Sequence, residues 1–332
     1  MKTMRILKNN LSAVLTITFI ITACISVNVN GKTPTITKEF NVSSAGTLDV
    51  ETSGGWIKVE GTDGNKVVVE VYVYKNGMLL SSDDSEVKDI EDGYDILISQ
   101  EGERITAYAK KINNSSIWKR IWVAFKIQVP HEMSCLVKTS GGSIDVTAVK
   151  GMHHINTSGG SIDLSNIEGK TDAHTSGGSV NVNNLIGDAN VSTSGGHISI
   201  EDCKGNIKAN TSGGGINLEN IEGRIDAHTS GGGIKINGNV GYVKATTSGG
   251  GIRMDITGLD EELYVETSGG SINATIPDGL GMDLDLKGNK VDIELQNFSG
   301  YAKEGKVQGP VNGGGIPVHM HTSGGNVNVY YN

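Results

Sequence analysis

Along the middle of the chain, apolar and polar residues alternate in short bursts that return on a fixed beat. The first apolar place of each burst is held by Ile144, Ile162, Val180, Ile198, Ile216, Ile234 and Ile252. Two residues further on stand Val146, Leu164, Val182, Ile200, Leu218, Ile236 and Met254. The residue between them is polar every time: Asp145, Asp163, Asn181, Ser199, Asn217, Lys235 and Arg253. A period of two is that of a strand with one buried face. Each burst follows the tetrapeptide Thr-Ser-Gly-Gly, which starts at Thr139, Thr157, Thr175, Thr193, Thr211, Thr229 and Thr247, in steps of 18 residues. Looser copies start at Thr52, Thr267 and Thr322. So short a period, held for so long, marks a solenoid.

Counting the Thr as position 0, position 10 is mostly apolar (Val149, Ile167, Leu185, Cys203, Ile221) and position 12 is Gly151, Gly169, Gly187, Gly205, Gly223 and Gly241. Positions 14 and 16 are mainly apolar or small, as in Ile207/Ala209, Ile225/Ala227 and Val243/Ala245. The pattern predicts two short strands per repeat, joined by two glycine-marked corners, and no helix. One such unit cannot bury its apolar face, but stacked copies can, pairing strand on strand at ~4.8 Å. The glycine pairs are expected to supply positive φ and to leave room for the next coil. The Thr shares parity with positions 14 and 16, so it should face inward, with its hydroxyl on corner backbone groups. The fold class is therefore all-β, a parallel β-helix with 18-residue rungs. It is expected to be right-handed, because parallel crossovers take that hand in about 98% of cases. A left-handed triangular helix would need a hexapeptide period, which the two dissimilar halves of this repeat lack.

Outside the repeats the period loosens at both ends. Residues 37–137 hold an outlying rung around Thr52, with Leu48 and Val50 before it and Ile57 and Val59 after it, and then a β-rich excursion. In the excursion Val67, Val69, Val71 and Val73 alternate with Glu70, Tyr72 and Tyr74; later strands carry Ile96/Ile98, Ile105/Ala107/Ala109 and Ile117 to Val129, and Asp83 to Asp92 reads as an acidic loop. It is expected to cover the N-terminal edge of the coil, which would otherwise be unpaired. Residues 138–276 are the regular solenoid, the last rung stretched to 20 residues (Thr247 to Glu266), and 277–332 should close the C-terminal end as an atypical cap.

The N-terminus reads differently. Lys2, Arg5 and Lys8 precede an apolar run of 13 residues, Leu11 to Ala23, too short to span a membrane and typical of a secretory signal. It ends Ile21-Thr22-Ala23-Cys24, which resembles the lipobox of bacterial lipoproteins and implies a lipid on Cys24, a signal over 1–23 and a polar tether over 24–36. Ile25 after the Cys leans towards the outer membrane, with the side faced left open. The chain has 332 residues and a net charge of −9, and removal of 1–23 would take three positive charges and leave −12. That balance argues against nucleic acid as a partner. Cys135 and Cys203 fall at inward positions more than three rungs apart, about 15 Å, too far for a disulfide and readable as core thiols.

Candidate chemistry is sparse. The sequence holds no zinc-protease helix, nucleophile elbow, phosphate-binding loop, Cys-x-x-Cys motif or glycine-aspartate calcium repeat. No catalytic residue, cofactor or dedicated metal site is expected. His319 and His321 face outward together and could take up a metal adventitiously, while His174 and His228 lie three rungs apart. Asp145 and Asp163 stack as like charges, a solvated pair in preference to part of a lyase-like site, since the basic residues of that ladder, Lys235 and Arg253, lie at its other end. Trp118 and Trp122, with Arg120 between them, sit off the apolar face of their strand, as do Tyr72, Tyr74 and Tyr108. Such a face either packs within the excursion, the favoured reading, or offers sugar rings a platform; Trp118, Arg120 and Trp122 are the candidate glycan contacts.

The rung Leu48-Asp49-Val50-Glu51-Thr52-Ser53-Gly54-Gly55-Trp56-Ile57-Lys58-Val59, the excursion closing on Val129-Pro130 and the Thr-Ser-Gly-Gly-x-Ile-x-Val repeats together resemble the bacterial putative-adhesin family of the DUF4097 type. The resemblance covers nearly the whole chain after the signal. It implies a right-handed β-solenoid of the cell envelope with no catalytic residues to carry over. Together with the lipobox, the expected protein is a lipid-anchored, non-enzymatic one with an adhesin or structural role, its partner a polysaccharide or another envelope or host surface protein. The alternative is a glycan-binding or glycan-processing β-helix.

Overall fold

The apolar alternation becomes a set of ladders. Ile144 lies opposite Ile162, which lies opposite Val180, and the column continues through Ile198, Ile216, Ile234 and Ile252, always between parallel strands. The step is 18 residues until Ile252, which faces Ile272 across the expected 20-residue rung. These side chains are at most 2% exposed. Each contributes about 1.5–3 kcal/mol through burial. The polar residues at position 6 point outward and stack on one another. These coordinates are a computed structural model that describes residues 33–43, 45–112 and 120–332, without the side chains of 86, 88, 89 and 91. Cys24, the tether up to residue 32 and Trp118 lie outside the described residues. Pro34–Asn332 form one unit.

Each rung bends at three places, one more than the sequence suggests. The glycine at position 12 takes positive φ, as at Gly169 (116°), Gly187 (137°) and Gly205 (141°). The additional bend is at position 9, where Asn166, Asn184, Asp202 and Asn220 hold φ of 54–55° and Ala148 59°. Asn and Asp enter this left-handed region more readily than other side chains. Their amides also join the rungs: Asn184 Nδ2 donates to Asn166 Oδ1 at 2.7 Å, and Asn220 Nδ2 to Asp202 Oδ1 at 3.0 Å. In the Ile234–Thr247 rung the register shifts, Gly238 bends (φ 155°), and Gly241 has no positive φ.

The Thr-Ser-Gly-Gly glycines serve a different purpose from the one expected. None of them has positive φ. A Cβ on the second glycine, such as Gly160, would overlap the carbonyl of its counterpart Gly142 one rung back. The constraint is close approach of backbones, so the tetrapeptide needs Gly for space. The Thr behaves as expected: Thr139, Thr157, Thr175, Thr193, Thr211, Thr229 and Thr247 are at most 5% exposed. Thr157, Thr175 and Thr193 donate their hydroxyls to the carbonyls of Gly142, Gly160 and Gly178, at 2.7–2.8 Å.

Both ends are threaded out of sequence order. At the N-terminal end Gly46–Thr52 lies between Arg104–Lys111 and Met133–Thr139, parallel to both. Ile57–Thr62 lies between Ile121–Pro130 and Ile144–Thr157 in the same way. The rung expected to be outlying is therefore enclosed, and the excursion supplies the terminal rung beyond it. Antiparallel strands finish that end, Tyr94–Glu101 on Arg104–Lys111, and Lys66–Lys75 on Ile121–Pro130 with Ile36–Asn41 outermost on Lys66–Lys75. The expected acidic loop contains a short 3-10 helix, Ser85–Asp92, with Ile90 buried. At the C-terminal end Ile316–Thr322 is held between Leu263–Thr267 and Met282–Lys287, and Val327–Tyr331 between Ile272–Ile276 and Val291–Ile293. Lys306–Val311 then pairs antiparallel with Met282–Lys287.

Candidate functional site

Where the excursion stacks on the coil, a second apolar cluster forms on the face opposite the valines. Ala124 is fully buried, and Tyr72 and Tyr74 are each 7% exposed. Trp122 stacks on Tyr74 with ring centroids 5.2 Å apart and planes 10° apart, and Trp56 tilts over Tyr72 at 5.5 Å. The Tyr72 hydroxyl donates to Glu70 at 3.0 Å; burial first, and then the neighbouring Glu70 charge, push its pKa above the ordinary tyrosine value. Arg120 is exposed at the head of the Trp122 strand. Tyr108 is not part of the cluster: its hydroxyl donates to Asp95 at 3.1 Å, and Lys110 lies 5.3 Å from its ring. Trp56 takes the place expected for it.

The outer ladders of the coil are satisfied by pairing between rungs. Lys58 approaches Asp145 at 4.0 Å and Asn181 donates to Asp163 at 2.7 Å, so the stacked acids are bracketed by a cation and an amide. Lys235 pairs with Glu219 at 2.6 Å. His174 meets Ser192, and His228 meets Thr246, each at 2.8 Å and each one rung away. A shallow open groove of ≈ 580 Å³ runs across His197, Asn217, Lys235, Arg253 and Asn273.

One inward group was not legible as special. His153 stands at position 14, is 1% exposed, and neither ring nitrogen has a hydrogen-bond partner. Burial pushes its pKa down to about 4. Cys135 and Cys203 are both free and buried, and burial pushes their thiols up to about 12 and about 11.

At the C-terminal end the threading brings a third residue to the two outward histidines. His319 lies between Tyr264 and Asp285 across the sheet, and His321 between Glu266 and Lys287. One carboxylate oxygen, Asp285 Oδ2, is 3.3 Å from His319 Nδ1 and 3.2 Å from His321 Nε2. Sequence spacing could not reveal Asp285, because its strand and that of the histidines become neighbours only through the out-of-order rung.

Parallel rungs, inward Thr ladders and outward polar ladders define a β-solenoid. The chain belongs to the Toastrack DUF4097 family, whose model matches residues 25–330. Among solved structures it is similar to a "putative adhesin" of Bacteroides fragilis NCTC 9343, at 15% identity and a TM-score of 0.39, covering 66% of this chain and 96% of that one. It is also similar to a "putative cell adhesion protein" of Clostridium sporogenes ATCC 15579, at 11% identity and a TM-score of 0.21, covering 90% of this chain and 100% of that one. No curated protein matches the sequence.

Proposed function

We propose that the protein is a non-enzymatic β-solenoid lipoprotein of the cell envelope, a rigid scaffold whose outer ladders engage another surface molecule. The coil is taken as right-handed, on the crossover rule. The observation that carries the reading is the outer surface, where polar side chains are bonded rung to rung: Asn181 to Asp163, Asn190 to Asp172, Asn206 to Asp188. Such rows hold their donors and acceptors at fixed spacing, which suits recognition of an extended, repetitive partner and lowers the entropy lost on binding. Anchorage rests on the Cys24 lipobox, and the outer membrane on Ile25 after it.

Two measurements test this. In cells, Cys24→Ala should abolish lipid labelling and release the protein from the membrane fraction; unchanged partition would remove the anchor. Protease shaving of intact cells should cut the chain, since a surface scaffold must be reachable from outside, and full protection would place its partner inside the envelope. A glycan-contacting reading draws on Arg120, which is exposed, and Trp122, which is half-buried. It requires that Trp118→Ala/Trp122→Ala abolish polysaccharide binding without loss of stability.

A further inference from the structure

Among the described residues, one place gathers three side chains able to ligate a metal ion: Asp285, His319 and His321, whose ligand atoms all lie within 4.8 Å of one another. We infer that this trio is a binding site for a zinc-class divalent cation, joining the terminal rung of the solenoid to the rung beneath it.

The distances favour a cation over a plain hydrogen-bonded trio. A tetrahedral zinc with ligands at about 2.0–2.1 Å sets its donor atoms roughly 3.3 Å apart. Asp285 Oδ2 stands 3.3 Å from His319 Nδ1 and 3.2 Å from His321 Nε2. A charge-assisted hydrogen bond between imidazole and carboxylate would close to about 2.7–2.9 Å. His321 Nε2 is buried and has no hydrogen-bond partner, a state that a buried polar atom rarely tolerates. The two imidazoles converge, with centroids 3.7 Å apart, although alternation alone would let the rings splay.

The surroundings hold the donors in place. Tyr264 stacks on His319 with centroids 4.6 Å apart and planes 4° apart, and its hydroxyl donates to Glu266 at 2.8 Å. Two imidazoles and a carboxylate suit zinc or nickel over calcium or magnesium, which prefer all-oxygen shells. Three protein ligands leave one position for solvent, so the ion is expected to exchange. Its structural effect follows from the topology: Asp285 belongs to Met282–Lys287 in the terminal rung, and the histidines to Ile316–Thr322 in the rung below.

The test uses the full chain freed of any histidine tag. Calorimetric titration with ZnCl₂ should give one saturable site per chain, and the thermal midpoint should rise with zinc. His319→Ala/His321→Ala and Asp285→Asn should each weaken binding at least about tenfold and abolish the midpoint shift. Crystals grown with ZnCl₂ give a test without variants: an anomalous peak within about 2.2 Å of both imidazole nitrogens and the carboxylate supports the site. No saturable binding, binding unchanged in the double variant, or zinc bound elsewhere would overturn it.

Discussion

The hydroxyl of Thr229 donates to the carbonyl oxygen of Gly214 across 2.7 Å, tying the first residue of one Thr-Ser-Gly-Gly to the last residue of the copy before it. Thr229 is fully buried. Thr229→Val keeps the shape but withdraws the donor from an interior carbonyl, at a cost of about 1–3 kcal/mol. Thr229→Ser keeps the donor and loses one methyl, about 0.8 kcal/mol. Urea unfolding should therefore rank wild type above Ser above Val. A Val variant as stable as the Ser variant would show that the hydroxyl is not what holds the corner.

The two glycines of the tetrapeptide should respond unequally to alanine. At Gly159 an added Cβ would lie 3.3 Å from the Gly141 carbonyl oxygen, a contact that a small shift relieves, whereas at Gly160 it would overlap the Gly142 backbone. Gly160→Ala is expected to cost more than about 3 kcal/mol and Gly159→Ala about 1 kcal/mol or less. Comparable losses in denaturation would mean that the rungs stack less closely than described.

The position-9 bend offers a stabilising change. Ala148 holds φ 59° where the next four rungs have Asn or Asp. Ala148→Gly should raise stability by about 0.5–1 kcal/mol, since Ala meets the steric penalty of the left-handed region and Gly does not. A lower unfolding midpoint for this variant would contradict the bend.

These corners show what the sequence could and could not reveal. Period-2 alternation at Ile144/Val146 and the 18-residue beat specified strands, rung length and inward Thr, because those follow from local side-chain parity. The Asn166/Asn184/Asn220 column was readable as a turn signal but was masked by the polar run around it. The enclosed first rung was not readable. Nothing near Leu48 tells whether Ile105 or Cys135 will lie beside it, and the answer is both. The Asp285–His319 meeting was hidden for the same reason, since non-local register decides it.

His153 predicts a pH dependence with a definite sign. Free histidine titrates near 6.5. Folding lowers His153 to about 4, and its neighbours across the sheet, Cys135 and Thr171, bring it no charge. Above pH 6.5 neither state takes up the proton, so stability from this group is complete. Between 6.5 and 4 mainly the unfolded chain is protonated, and stability falls as pH falls, by on the order of 3 kcal/mol in all. Below 4 both states hold the proton and the loss stops. His153→Leu should flatten this slope between pH 7.5 and 4.5, and an unaltered slope would show that His153 is solvated.

Trp122 and the thiols report on packing from two sides. Trp122→Ala removes a ring stacked on Tyr74 and should cost about 2–4 kcal/mol, seen as lost amide protection in Lys66–Lys75 and Ile121–Pro130. Protection within experimental error of wild type would make the ring a contact surface instead. Cys135 and Cys203 should resist alkylation in the native chain and react fully after denaturation without reductant. Peptides recovered as a disulfide would refute the rung assignment.

The out-of-order rungs also change what a chain end means in this molecule. An ordinary stack of repeats frays where its polypeptide stops, because the last coil has a neighbour on one side only. Here the first coil, Gly46–Thr62, and the last, Ile316–Tyr331, are each gripped on both sides, and the outermost coils are formed by segments that continue into the chain in both directions. At the C-terminal end the tip of the polypeptide and the loose edge of the solenoid are therefore different places, whereas at the other end the strand Ile36–Asn41 pairs only with Lys66–Lys75 and forms an edge. Trimming the sequence from its C-terminal strand would pull out a slat from within the stack, so the solenoid cannot be shortened a rung at a time from that end. A pull applied through the last strand, Val327–Tyr331, would act on a coil already clasped between two others.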